Sequence, residues 1–379
     1  MKRITIHNFG PIKDVDIELK EFNFLIGGQG TGKSTLAKML SIVCDYNLYF
    51  HLLGSTQTKL WIDFLKDYGI QDYINENSSI NYRETGIFFD EGKKKEYLLS
   101  LCVNYNDVKV EMTCEKDKLS DEKMMEVLAY IATIRTEKEN IQWGSEKSFK
   151  KRMALISDAL KASLYVPAER IMYSSFTKLL PALNLVQDAI SKNLLYFSVE
   201  YNNAKSILDH YHVPMLSIDY VHEKDEDYIV MENGNRLQLK SASSGIQSVI
   251  PLLLTLDYAT DKRHYFSYVI EEPECNLYPQ NQIRLLDAIL DLFKRIHSCL
   301  TITTHSPYII NYLNVLIRRF YKDNEKGVDA NKLTVHYMND NGEAVDLMAL
   351  DNESQEMVVN TIDLSETMGN IYSEYVSLK

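Results

Sequence analysis

The sequence predicts an α/β fold, a mixed β sheet with flanking helices that also carries a helical insertion. Three observations predict it. Gly27 to Ser34 reads G-x-x-x-x-G-K-S, set between an apolar run, Phe22–Ile26, and a stretch with apolar residues at helical spacing, Leu36–Val43. Far downstream, the apolar strand Tyr265–Ile270 ends in Glu271-Glu272-Pro273-Glu274. A further apolar strand, Leu300–Thr304, ends at His305-Ser306-Pro307. Buried strands that end in chemistry-bearing loops and alternate with helices are the mark of an α/β core.

The first of these stretches is the P-loop pattern. Glycines let the backbone turn so that successive N–H groups point inward at phosphate oxygens. The helix that follows adds partial positive charge at its N-terminus. Gly27, Gly28, Gln29, Gly30, Thr31, Gly32, Lys33, Ser34 and Thr35 are therefore the candidate nucleotide-binding residues. Lys33 can reach the β- and γ-phosphates of ATP, and the Ser34 hydroxyl can ligate Mg²⁺.

Before the loop, Arg3–Phe9 and Val15–Leu19 alternate around Gly10-Pro11 and predict a hairpin. Residues 36–70 read as mainly helical, with Trp61, Phe64 and Leu65 on one face. Leu99–Val103 and Val108–Met112 read as a strand pair. Residues 118–212 change character. Met124, Val127, Leu128 and Ile131 recur at helical spacing, as do Phe149, Met153, Ile156, Leu160 and Leu164. A further helical stretch runs from Phe176 to Tyr201. Strands return at Leu216–Tyr220 and Tyr228–Met231, and Gln280–Ile296 reads as a helix. A hairpin follows around Asn341-Gly342, then a polar helical tail. The expected division is 1–117 as an N-terminal lobe with the P-loop, 118–212 as the helical insertion, 213–350 as the C-terminal lobe and 351–379 as the tail.

Glu271 and Glu272 close an apolar strand downstream of a P-loop, where paired carboxylates do ATPase work. The first holds Mg²⁺; the second orients and deprotonates the attacking water. A histidine at the end of the next strand, His305, can hydrogen-bond the γ-phosphate and sense its loss. Ser243, Ser244, Gly245 and Gln247 form a small polar loop before an apolar helix and can bind an anion. Its simpler reading is a helix N-cap. His210 and His212 are two apart without a Cys or carboxylate frame to complete a ligand set, so no metal beyond Mg²⁺ is expected.

Composition narrows the class. The chain has 379 residues, 45% hydrophobic and 25% charged, enough for a substantial core and too apolar for disorder. No apolar run approaches the ~18 residues of a membrane span. The N-terminus lacks a secretory apolar block. Five scattered cysteines without C-x-x-C pairs fit reduced thiols in a cytoplasmic protein with no membrane partner. A net charge of −12 opposes indiscriminate coating of nucleic acid and leaves room for a local basic groove.

The order of motifs resembles an ABC-type ATPase head, in particular the soluble branch with SMC, RecF and overcoming-lysogenisation ATPases. The similarity is greatest in Ile4–Ile12 and in Glu271-Glu-Pro-Glu-Cys-Asn-Leu-Tyr-Pro279. Pro167-Ala-Glu-Arg170 is similar to ATPases of Septu- and PARIS-type bacterial anti-phage systems. The resemblance implies that Ser243, Ser244, Gly245 and Gln247 are a signature loop meeting ATP held by a second protomer. It places Asn276, Leu277 and Tyr278 on the D-loop and His305 on the switch histidine. Two departures stand out. Glu271 replaces the usual Asp, and the signature lacks the leading Leu and double Gly of transporters.

On that resemblance the chain is expected to hydrolyse ATP with Mg²⁺, as a homodimer or a multiple of dimers. Too little chain follows His305 for the nuclease domain of overcoming-lysogenisation proteins, so a separately encoded effector, a nuclease, is the expected partner. A RecF-like DNA maintenance ATPase is the alternative. A transporter subunit fits less well, given the long interval between Ser34 and Ser243.

Overall fold

In the computed structural model, residues 1–53, 57–90, 93–135, 163–175, 191–263, 265–296, 298–324, 326–361, 373–374 and 376 are described. The strand before the P-loop, β3 (Phe22–Gly27), lies inside a six-stranded sheet. Its neighbours are β14 (Cys299–Thr304) on one side and β15 (Leu333–Met338) on the other, both parallel to it. Beyond β14 come β13 (Ser267–Glu271) and β8 (Ser163–Val166), also parallel. Only β16 (Ala344–Asp346) runs antiparallel, on β15. Every residue of β3, β13 and β14 is buried. Phe24–Ile26 and Tyr268–Ile270 therefore read as apolar runs, while Asn23 and the threonines of β14 are buried alongside them in a parallel sheet covered on both faces.

The N-terminal hairpin, β1 (Lys2–Phe9) with β2 (Ile12–Leu19), opens a second sheet. It continues through β4 (Ser79–Asp90), β5 (Lys93–Asn104), β6 (Val108–Cys114) and β7 (Asp117–Lys118), all antiparallel. Alternate residues of β6 are buried, as expected with one face on a core. That face packs in one apolar cluster with α1 (Lys33–Val43), α2 (Tyr46–Leu52) and α3 (Gln57–Asp67), whose Trp61 and Leu65 are fully buried.

The block read as a helical insertion is mixed. It holds α4 (Asp121–Arg135), α5 (Ile171–Ser175) and α6 (Lys192–Ile207), but also β8. Leu164, predicted on a helix face, pairs with Tyr268 as an edge residue of the central sheet. Phe149, Met153, Ile156, Leu160 and residues 176–190 lie outside the described residues. A four-stranded sheet follows: β9 (His210–Val213), β10 (Ile218–Glu223), β11 (Glu226–Met231) and β12 (Arg236–Gln238). The helices α7 (Ser244–Tyr258), α8 (Pro279–Phe293) and α9 (Pro307–Lys322) complete the C-terminal lobe. The tail, predicted helical, begins with a strand instead. There β18 (Met357–Val359) pairs with β17 (Met348–Leu350), and Asn314 of α9 bonds Val359 in both directions.

Candidate active site

Register places the candidate residues together. In the sheet β14 lies between β3 and β13; Thr304 pairs with Ile26, and Glu271 with Thr303. The loops that leave these three strands therefore emerge side by side at one sheet edge, the carboxyl end, where α/β sheets bind ligands.

The P-loop is shaped by its neighbours. Gly27 has a φ of 158°, and a Cβ there would lie 2.3 Å from the Met338 carbonyl oxygen. Gly32 precedes α1 with a φ of 99°, in the left-handed region that favours glycine. Gly28, Gln29 and Gly30 are exposed at the loop, whereas Thr31, Gly32, Lys33 and Thr35 are buried. Thr31 Oγ1 donates to the Gly28 carbonyl at 3.0 Å, and Lys33 Nζ donates to the same oxygen at 2.5 Å. Burial lowers the Lys33 pKa, opposed by Glu272, Glu274 and Glu271, which places all three carboxylates within its electrostatic reach.

Glu271 is buried at the end of β13, and its Oε1 has no hydrogen-bond partner. Burial raises its pKa; Tyr165 and Ser34, which face the carboxyl, pull it back down. Glu272 turns outward with a φ of 41°, a conformation that non-glycine residues adopt at a cost of about 1–3 kcal/mol. Its N–H donates to the Thr303 carbonyl at 2.9 Å. One carboxylate oxygen lies 3.1 Å from His305 Nε2, and the other accepts from Cys275 Sγ at 3.2 Å. Burial pushes the Cys275 thiol up to about 12, with the Glu272 bond acting in the same direction, so the thiol keeps its proton. Glu274 accepts from Thr304 Oγ1 at 2.6 Å and from the His305 N–H at 2.8 Å. The third acid of the run thus fixes the turn that carries the histidine.

The strained Glu271–Glu272 turn is clamped from behind by Arg170. Its guanidinium donates to the carbonyls of Pro167 (2.6 Å), Glu271 (2.6 Å) and Glu272 (2.8 Å). Arg170 is wholly buried, and burial lowers its pKa against the pull of Cys275 and the three glutamates. Its Nη2 also reaches Ser248 Oγ, at 3.5 Å, on α7.

The start of α7 carries the candidate signature loop. Ser243 and Ser244 are exposed, and Ser243 makes no side-chain cap bond, so the N-cap reading finds no support in that side chain. A Cβ on Gly245 would meet the Asn276 carbonyl at 2.9 Å, so the loop packs closely on Asn276 and Leu277. The Gln247 amide is committed within the chain. Its Nε2 donates to the carbonyls of Ala242 (2.7 Å) and Lys240 (3.2 Å), and its Oε1 accepts from Ser175 Oγ (3.0 Å). Pro251 lies inside α7 and has no N–H, which deprives the Gln247 carbonyl of its helical partner. Ser174 Oγ takes that carbonyl at 2.7 Å. The segment from Pro167 to Ser175 therefore straps the carboxylate turn to the loop at the head of α7.

Residues 1–166 and 128–310 match the family of AAA ATPase domains in two overlapping segments. The chain belongs to that family. No curated protein matches it. Among solved structures, an SMC head bound to the C-terminal winged-helix domain of ScpA is 13% identical, with a TM-score of 0.47, covering 93% of this chain and 98% of that one. An SMC head domain from Thermotoga maritima is 10% identical, with a TM-score of 0.40, covering 94% and 97%. A dimeric bacterial ABC transporter cassette is 11% identical, with a TM-score of 0.34, covering 90% and 96%.

This AAA ATPase domain brings Lys33, Ser34, Glu271, Glu272 and His305 to one sheet edge. Ser243 and Ser244 do not join them; their loop packs on Asn276 and Leu277 through Gly245. Sequence reasoning gave Arg170 no role, although it singled out Pro167–Arg170 as a motif. The available signal was an arginine directly after a short apolar strand. Among the described residues, no helix is long and apolar enough to cross a membrane, and no cluster of three or more His, Cys, Asp or Glu is placed to hold a metal. His212 bonds Asp219 at 2.7 Å between β9 and β10.

Proposed function

We propose that the chain is an ATPase that closes head to head with a second copy on two ATP molecules. In this reading it uses that closure to control a separately encoded effector, a nuclease, in bacterial anti-phage defence. The observation that carries the ATPase reading is the convergence of Lys33, Ser34, Glu271, Glu272 and His305 at the carboxyl ends of three adjacent parallel strands. The closure rests on the exposed Ser243 and Ser244 beside Asn276, and on Tyr278, an aromatic left 77% exposed on the same loop. The defence role rests on the resemblance of Pro167–Arg170 and Glu271–Pro279 alone.

The residues fit a Mg²⁺ ion. Glu271 offers a buried oxygen without a partner, and the Ser34 hydroxyl faces the same carboxyl. One carboxylate and one hydroxyl suit Mg²⁺, which fills its remaining positions with water and phosphate oxygens. When bound, the ion would neutralise charge developing on the transferred phosphoryl group. The P-loop N–H groups and Lys33 orient the phosphates. Glu272 takes the proton of the attacking water, and His305, bonded to Glu272, aims the carboxylate and registers the state of the γ-phosphate.

Glu272→Gln keeps size and hydrogen bonding but cannot take a proton. Hydrolysis should fall by about 10²–10⁴ while ATP still binds, since Lys33, Ser34 and Glu271 are intact. The ATP-bound pair should then persist in size-exclusion with light scattering. Adding Ser244→Arg should separate it. Wild-type hydrolysis by Glu272→Gln, or ATP-dependent closure untouched by Ser244→Arg, would overturn the two-site reading.

A further inference from the structure

A cavity of about 390 Å³ lies between α2, α3, β8 and α6. Its volume is within the range of small-molecule sites. Two side chains of α6 line it and are almost completely buried: Asn193, 4% exposed, and Glu200, 5% exposed. Asn193 Oδ1 and Glu200 Oε2 have no hydrogen-bond partner. The other Glu200 oxygen lies 3.6 Å from Arg263. Buried acceptors are rarely left without a donor, because such a group has lost water and gained nothing.

Asn193 Oδ1 and Glu200 Oε2 are acceptors, so an occupant that reaches them must supply donors; the third unpartnered polar atom on the wall, Tyr165 Oη, faces the Glu271 carboxyl. The wall is also acidic. Asp63 lines it, as does Asp67, which Lys192 holds at 2.7 Å. Asn193 and Glu200 are seven residues apart, hence on one face of α6 and about 10 Å apart along its axis. Between them Tyr196 lines the cavity, with Tyr68 and Tyr165 on other walls. Tyrosine rings suit methylene chains and the faces of cations.

We propose that this cavity binds a linear polyamine, an alkyl chain with a protonated amine near each end. One end donates to Asn193 Oδ1 and the other pairs with Glu200 Oε2. Tyr165 lines this cavity and also faces the Glu271 carboxyl, so the two sites share one wall residue, but the proposal does not depend on the ATPase reading.

Isothermal titration of the full chain with spermidine tests it, with n-propylamine as a one-ended control. Wild type should bind one spermidine and prefer it over n-propylamine by at least about tenfold, since the second amine adds a charged hydrogen bond to Asn193 Oδ1. Glu200→Gln and Asn193→Leu should each weaken spermidine at least about tenfold, while Glu353→Gln, an exposed acid elsewhere, should not. Without ligand, Asn193→Leu should melt no lower than wild type, because it removes an unpaired acceptor, whereas Glu200→Gln also gives up the pair with Arg263. Absence of spermidine heat at millimolar concentration would mean that water alone fills the cavity and would overturn the proposal. Equal binding of the two amines would overturn it without recourse to any variant. Binding that Glu200→Gln leaves intact would assign the amine to the acidic surface and overturn it as well.

Discussion

The carboxylate turn and the loop at the head of α7 are built in opposite ways. At Glu271–Glu272 nearly every group is held from within the chain: Arg170 grips the carbonyls, Thr303 the Glu272 N–H, and His305 and Cys275 the carboxylate. At Ser243–Gln247 only the rear is held, through Gln247 and its bonds to Ser174, Ser175, Ala242 and Lys240. The two leading serines are left in solvent. A group that must do chemistry with atoms of its own chain is fixed during folding. In the proposed two-copy reading, the exposed serines are the part that a second copy would complete. The segment from Pro167 to Ser175 bonds to both, through Arg170 at the turn and Ser174 and Ser175 at Gln247.

The largest effect should come from removing the clamp. Arg170→Met takes a donor from three carbonyls; that of Glu272 keeps the Cys275 N–H, and those of Pro167 and Glu271 lose the guanidinium at about 1–3 kcal/mol each. The loss should be at least about 2 kcal/mol in urea unfolding. Arg170→Lys, with one ammonium for a planar fork, should recover part of it. If Arg170→Met is as stable as wild type, the turn is not held from behind and the contrast fails.

Next is the unpartnered carboxyl. Burial raises the pKa of Glu271, so the folded state favours its protonated form. That contribution is complete below the ordinary glutamate pKa and is lost as pH rises through the folded value. Glu271→Gln removes the charge. Without nucleotide and metal, its thermal stability should fall less between pH 5 and 8 and exceed wild type by about 1–3 kcal/mol at the upper end. Parallel pH curves for the two proteins would count against a buried, ionising Glu271.

The rear of the loop at the head of α7 gives a reversible effect. Ser174→Ala strips the Gln247 carbonyl of its donor and should cost about 1–3 kcal/mol. Adding Pro251→Ala supplies the missing helical N–H and should restore most of the loss. Additivity of the two changes in a double-mutant cycle would contradict that link.

Ser243→Ala should be the smallest, within about 0.5 kcal/mol, because the side chain is exposed and caps nothing. A larger loss would show that the loop is finished within one chain after all.

The P-loop was legible because its geometry is local. Glycines, lysine and serine between a buried strand and a helix specify a phosphate cradle within a dozen residues, and the strand that ends at Glu271 announced itself by its apolar run, that at Thr304 by alternating apolar and β-branched residues. The central α/β sheet followed from the same runs. What lay beyond the sequence was decided by partners distant along the chain. Leu164 continued a helical spacing, yet Ser163–Val166 became a strand because β13 offered it a parallel edge to pair with. The tail read as polar and helical, yet Met357–Val359 pairs with Met348–Leu350. Helical periodicity registers which residues repeat, not which backbone lies alongside. Arg170 read as one charge among 41 basic residues. Its role exists only where folding brings three carbonyls around it and removes the water. The sequence by itself determined the phosphate-binding chemistry, because that needs only neighbouring residues. Tertiary structure alone decided which acids are buried, which carbonyls need a donor and which acceptors on α6 are left unpaired, because desolvation depends on the whole of the surroundings.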